Sequence, residues 1–197
     1  MSLELPPHMS ADEVALLSCV VRENANILEF GCGGSTRFFL EKGAKKLISI
    51  DSDAGWLRAL LTNKVIATFH KHGKWCPVYA DIGSTGNWGA PVDKTPQIHW
   101  LNYHQYCWNG FSNRQFDLIL VDGRFRVACV CQALLRCDRE NMLLAIHDFW
   151  NRPQYHAVLD FLDAIEKKDS LGIFKPKATI DWQELSLVLQ NNQFCVV

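Results

Sequence analysis

The segment Glu29-Phe-Gly-Cys-Gly-Gly34 places glycine at three of the four positions 31–34, directly after the apolar run Ile27, Leu28 and Phe30. Side chains at Gly31, Gly33 and Gly34 would obstruct a ligand approaching the backbone, so their absence opens room for one. Ser35 or Thr36 can then cap a helix whose apolar face begins with Phe38, Phe39 and Leu40. A strand, a glycine turn and a helix N-terminus build a pocket for a nucleotide-like ligand at the carboxyl edge of a sheet. A tight turn without a ligand is the plainer reading, and the density of glycine argues against it. The dinucleotide fingerprint needs its third glycine where Thr36 stands, so that pattern is broken. The carboxylate of Glu29 just before the turn suits a cationic group and would repel a pyrophosphate.

Four further strand ends carry polar residues. Leu47–Ile50 ends at Asp51-Ser52, twenty residues after Gly31, where an acid can hold ribose hydroxyls; a helix cap is the alternative. Pro77–Ala80 ends at Asp81-Ile82. Phe116–Val121 is the clearest strand, a nearly continuous apolar run suited to burial on both faces, and it delivers Asp122-Gly123. Asn141–Ile146 delivers His147-Asp148. His147 has the imidazole of a general base, with an ordinary pKa of about 6.5. Equally, His147 can bond a loop while Asp148 caps the next helix.

Taken in order, these five strand ends resemble the class I S-adenosylmethionine-dependent methyltransferases, whose first motif places an acid before Gly-x-Gly. The Asp122-Gly and His147-Asp148 ends are similar to a group of small bacterial-type methyltransferases, and catechol-type O-methyltransferases are more distant. The resemblance covers roughly residues 10–174. It implies a Rossmann-like α/β fold: a mostly parallel seven-stranded sheet, helices on both faces and an antiparallel C-terminal hairpin. It implies S-adenosylmethionine as cofactor and S-adenosylhomocysteine as product, held by Glu29, Gly31, Cys32, Gly33, Gly34, Ser35, Asp51, Ser52 and Asp122. Asp81 and Ile82 would take the adenine amine and ring. Asp122, His147 and Asp148 are the implied catalytic residues. In the catechol-type enzymes the two aspartate positions bind metal, but Phe149 replaces the required Asn and Phe125 the lysine base. The metal-free version is therefore expected, with a small-molecule hydroxyl as acceptor. The alternatives are an inactive cofactor-binding module and an NAD-binding oxidoreductase.

The elements that must position these residues fit one domain, 1–197, since a chain of 197 residues that is 48% hydrophobic can bury a full core. A net charge of −1 with mixed signs points away from nucleic acid, and no apolar run is long enough to span a bilayer. With acidic, proline-bearing first residues and no signal peptide, a cytoplasmic location is expected. The eight cysteines are scattered without a Cys-x-x-Cys pair and read as reduced thiols. Ser10–Glu13 has the form of a capping box opening a helix. Residues 83–115 interrupt the strand–helix rhythm with Trp88, Trp100, Tyr103, Tyr106, Trp108 and Phe111, and read as a lid or acceptor wall, or as a homodimer contact. Leu162–Glu166 and Leu171–Phe174 read as the closing hairpin, with a helix continuing to Lys168 as the alternative. Asp181 opens a last helix.

Overall fold

The computed structural model describes residues 5–94, 97–110 and 114–196. Its centre is a seven-stranded sheet in the order β3-β2-β1-β4-β5-β7-β6. The strands are β1 (Asn26–Phe30), β2 (Lys46–Asp51), β3 (Trp75–Tyr79), β4 (Leu118–Val121), β5 (Leu143–Ile146), β6 (Leu162–Lys168) and β7 (Leu171–Pro176). The first five pair in parallel, and β7 runs against both of its neighbours. The closing hairpin is thus formed, and residues 162–168 are strand rather than helix. Asp169 and Ser170 make the turn, with Asp169 in the left-handed region at φ 44°.

Alternate residues of the inner strands feed two cores. Leu28, Phe30, Ile48, Ile119, Val121 and Ile146 face one side, while Ile27, Leu47, Leu118, Leu120 and Ala145 face the other. Such two-sided burial explains the continuous apolar runs. The second core is covered by α1 (Ala11–Val20), α2 (Gly34–Glu41), α3 (Ala54–Leu60) and α4 (Lys64–Lys71); the first is covered by α6 (Arg126–Arg136) and α7 (Trp182–Asn192), with the short α5 (Leu101–His104). Ser10 and Glu13 form the expected capping box on α1, and Asp181 caps α7 through the N–H groups of Gln183 and Glu184.

The sequence reading is corrected at the third strand and extended by several local elements. Residues 62–75 hold a separate helix, α4, because Asn63 Oδ1 accepts from the N–H groups of Val65 and Ile66. The third strand begins two residues early, at Trp75, whose ring is fully buried. On α6, Leu135 is 42% exposed while its neighbours Ala133 and Leu134 are buried. The segment opened by Pro153 is a 3-10 turn over Pro153–Asp160.

Three aromatic side chains of the stretch 83–115 belong to the core, while Trp88 and Tyr106 are exposed. Short 3-10 turns at Asn87–Gly89, Gln97–Trp100 and Tyr106–Gly110 flank α5 and bury Trp100, Tyr103 and Trp108 against Phe30, Phe116 and Phe125. Trp88 alone among its tryptophans is largely exposed, at 76%. Phe111 lies outside the described residues.

The two sheet edges differ from its interior. β3 carries Pro77, which offers no N–H and is tolerated at an edge, and β6 exposes Asp163, Glu166, Lys167 and Lys168. Among the described residues no helix is long and apolar enough to cross a membrane.

The division of the aromatic stretch into core and surface can be measured. Trp108→Ala is expected to cost about 3–5 kcal/mol in urea unfolding, the range for emptying a buried aromatic site. Trp88→Ala should stay within about 0.5 kcal/mol.

Candidate active site

Backbone pairing continues one step past the strands and brings the predicted ends side by side. Gly31 N–H donates to Ile50 (2.8 Å), Asp122 N–H to Phe30 (2.9 Å) and His147 N–H to Val121 (3.2 Å). Gly31 stands at φ +85°, and a Cβ there would lie 2.8 Å from the backbone of Gly123. Only glycine fits this crossing of the β1 and β4 turns. At Gly33 a Cβ would meet nothing nearer than the Trp56 ring at 3.7 Å, so this position opens onto free space. The Trp56 indole N–H donates to the Cys32 carbonyl (2.8 Å) and holds the turn in place.

Beneath the turn lies Glu29, fully buried and turned away from the opening. It accepts from Ser35 Oγ (2.9 Å), Ser49 Oγ (2.6 Å) and Thr36 Oγ1. Burial raises its pKa to about 7, although these three hydroxyls pull the other way. This carboxyl therefore fixes the turn from below instead of presenting charge to a ligand, contrary to the direct contact expected. Ser35 and Thr36 serve Glu29 from inside α2, and Gly33 occupies the N-cap position assigned to them.

The turn opens on a cleft of about 780 Å³. Gly31, Cys32, Gly33, Gly34, Ser35, Asp51, Ser52, Asp122, His147 and Asp148 all line it. Asp51 receives the N–H of Cys32 (3.1 Å) and of Asp53 (2.9 Å), while its burial pushes its pKa upward. Asp81 and Ile82 do not line the cleft: Asp81 is exposed and closes a turn on Gly83 N–H (3.0 Å), and Ile82 packs in the core. Trp88, Gly89 and Tyr103 supply one wall. Residues 5–9 supply the opposite one, crossing Gly34 so closely that a Cβ there would strike the Pro6 carbonyl. The His8 and Trp88 rings meet across the gap with centroids 5.3 Å apart.

At the far end, His147 Nδ1 faces Asp122 Oδ1 (2.9 Å) and Nε2 faces Glu13 Oε2 (3.4 Å). Burial lowers the imidazole pKa, but the hydrogen bond and charge of Asp122, helped by Asp148 and Glu13, raise it above its ordinary value overall. With both nitrogens committed to carboxylates, the ring has no free lone pair with which to take a substrate proton. This geometry speaks against the general-base role expected of His147. Asp148, at φ 56°, pairs with Arg126 (3.1 Å) and Arg152 (3.0 Å) and caps no helix. Asp122 also reaches Arg126 (3.4 Å). Donor atoms of Asp122, His147 and Asp148 lie within 4.8 Å of one another, but two guanidinium groups already balance the carboxylates.

Glu13 was hidden by its own local explanation. One oxygen completes the capping box with Ser10 N–H (2.8 Å) and faces His147; the other accepts from Ser170 N–H (3.0 Å), Ser170 Oγ (2.6 Å) and Leu171 N–H (3.1 Å). A capping glutamate carries no sequence mark of a second task more than 130 residues away. Burial raises its pKa, and the Ser170 and Ser10 hydrogen bonds with the His147 charge overcome this, leaving it at about 2. An unfolded value of 4.5 lowered to about 2 contributes stability that is full above about pH 4.5 and lost as the pH falls towards 2. Glu13→Gln should remove on the order of 2–3 kcal/mol of stability at pH 7 and flatten its decline below pH 4.5. Urea titrations of both proteins from about pH 2 to pH 7, which takes in both the folded and the unfolded carboxyl pKa, read this directly.

No protein-family model and no curated protein matches the chain. Solved structures do. A methyltransferase-like protein from Silicibacter pomeroyi is 28% identical and superposes with a TM-score of 0.81 over 98% of this chain and 99% of its own. An O-methyltransferase from Bacillus cereus, solved with S-adenosylhomocysteine, shares the fold at 15% identity, TM-score 0.57, over 88% of this chain and 84% of its own. A methyltransferase from Geobacter sulfurreducens does so at 13% identity, TM-score 0.56, over 87% and 82%. With its strand order, glycine turn and acid-bearing strand ends, the chain has the Rossmann-like fold of these methyltransferase structures and is similar to the methyltransferase-like protein over nearly its whole length.

Proposed function

We propose that the protein transfers the methyl group of S-adenosylmethionine to a hydroxyl of a small molecule, with Asp122 receiving the hydroxyl proton. The observation that carries this reading is the position of Asp122. It ends β4 beside the glycine turn and lines the same cleft. Its Oδ1 is engaged by His147 and Arg126, while Oδ2 has no partner among the described residues and the side chain is 25% exposed. A cleft of about 780 Å³ has the size of small-molecule sites and suits a cofactor beside a small acceptor.

The residues present fit the cofactor: Gly33 opens a cradle that a larger side chain would fill, and the Asp51 carboxylate stands where ribose hydroxyls can donate to it. When bound, S-adenosylmethionine supplies an electrophilic methyl group and leaves as S-adenosylhomocysteine. Displacement of this kind needs mainly alignment of the attacking oxygen. Asp122 orients the hydroxyl and takes its proton as the new carbon–oxygen bond forms. His147 and Arg126 hold the Asp122 carboxylate in place, and Glu13 holds His147. Trp88, Gly89 and Tyr103 form the wall beside the acceptor, which is the part of the 83–115 stretch that fits the expected role. The acceptor being a small molecule, neither nucleic acid nor membrane is needed as a partner.

Calorimetry with S-adenosylhomocysteine, S-adenosylmethionine and NAD tests the cofactor. Binding of the first two is expected; binding of NAD alone would replace the reading with an oxidoreductase. Gly33→Val should abolish binding, and Asp51→Ala should weaken it by about 1–3 kcal/mol, the cost of stranding buried hydroxyls. Transfer of labelled methyl is then screened over small-molecule hydroxyls. Asp122→Asn should keep cofactor affinity and lower transfer by on the order of 10²–10⁴-fold. Tight cofactor binding without transfer to any acceptor would leave a cofactor-binding module.

A further inference from the structure

We infer that the acceptor carries an anionic group, a carboxylate or a phosphate, which Arg124 binds across the cleft from the cofactor. This inference rests on the methyltransferase reading and names the acceptor's class. Three arginines line this end of the cleft: Arg124, Arg126 and Arg152. Two of them are committed. Arg126 pairs with Asp122 and Asp148 and donates to the carbonyls of Gly123 and His147; Arg152 pairs with Asp148. These contacts also use up the negative charge of the two aspartates, with His147 on Asp122. Arg124 has no carboxylate within ion-pair distance among the described residues. Its side chain makes one hydrogen bond, from Nε to the carbonyl of Trp88 (3.0 Å), which leaves the terminal fork of the guanidinium free. That fork matches the paired oxygens of a carboxylate or phosphate.

The backbone is shaped to hold Arg124 there. Phe125 stands in the left-handed region at φ 55°, costly for a bulky residue. It persists because its fully buried ring is wedged among Trp100, Tyr103 and His104, with centroids 5.6–5.8 Å away. The turn separates two neighbouring arginines by role: Arg126 reaches back beneath the strand ends, and Arg124 stays at the cleft wall. Burial disfavours the charge of Arg124, as does the nearby charge of Arg126 and then of Arg152. A bound anion would offset both by pairing with the guanidinium.

The test is titration of the protein, with and without saturating S-adenosylhomocysteine, by inorganic phosphate and by benzoate at constant ionic strength. Arg124→Gln, Arg124→Lys and the surface control Arg37→Gln are titrated alongside. At least one anion should bind the cofactor-loaded wild type, at least tenfold more weakly in Arg124→Gln, with intermediate loss in Arg124→Lys and none in Arg37→Gln. Preference for phosphate assigns a phosphorylated acceptor; preference for benzoate assigns a carboxylic acid. Absence of anion binding, or binding that survives Arg124→Gln, overturns the inference. So does a loss of S-adenosylhomocysteine affinity in Arg124→Gln without an anion site, which would give Arg124 to the cofactor's own carboxylate. Failure of S-adenosylhomocysteine to bind the wild type counts against the methyltransferase reading instead, while the cofactor-free titration still reads the anion site.

Discussion

One carboxyl group, buried where no water reaches it, sets the shape of the ligand edge. Glu29 sits opposite Ser49 in the β1–β2 register, so a cross-strand pair becomes a hydrogen bond, and the Trp75 indole N–H extends the chain to β3 through the same Ser49 hydroxyl (2.8 Å). Ser35 and Thr36 bring in the first turn of α2, and Thr36 in turn receives the Gly33 N–H (2.9 Å). Three strands and a helix are therefore tied to a single side chain. An unpaired carboxyl at this depth would be expensive, and a satisfied network converts that expense into a unique arrangement. Burial raises the pKa of Glu29, and its three hydroxyl donors satisfy it without a counter-ion.

The opposite end of the cleft is organised by charge rather than by hydroxyls. Glu13, His147, Asp122, Arg126, Asp148 and Arg152 form one chain in which acidic side chains alternate with basic ones, each touching its neighbour. Through the backbone N–H groups of Ser170 and Leu171, Glu13 also joins α1 to the β6–β7 turn. The antiparallel hairpin is thus more than a closing flap of the sheet. It anchors the residue that anchors the imidazole. Arg124 stands outside this alternation, which is why a ligand's charge is the natural complement to it.

Much of this was legible in the sequence, and what was hidden has a common cause. Apolar runs ending in Gly31, Asp51, Asp122 and His147 disclosed the strand ends because two-sided burial leaves an unbroken run and the ligand edge interrupts it. The hairpin was readable from Lys168-Asp169-Ser170. Side-chain direction was not readable: nothing in Glu-Phe-Gly reveals that Glu29 points down into hydroxyls instead of up towards a ligand. The length of the 83–115 stretch suggested a lid, yet Trp100, Tyr103 and Trp108 bury themselves, since tertiary packing decides where a tryptophan goes. Longest in reach was Glu13, whose capping pattern was correct and incomplete.

The two borders of the sheet carry a consequence for how the molecule behaves in a crowded solution. A strand border is a template on which another chain can condense, and long, flat, apolar borders seed fibres. On β3 the row of donors is interrupted at Pro77, and on β6 the outward row is broken by Asp163, Glu166, Lys167 and Lys168, with a register irregularity between Ala164 and Glu166. Growth of the sheet by addition of a further strand is therefore discouraged on both sides. The sheet therefore stays finite.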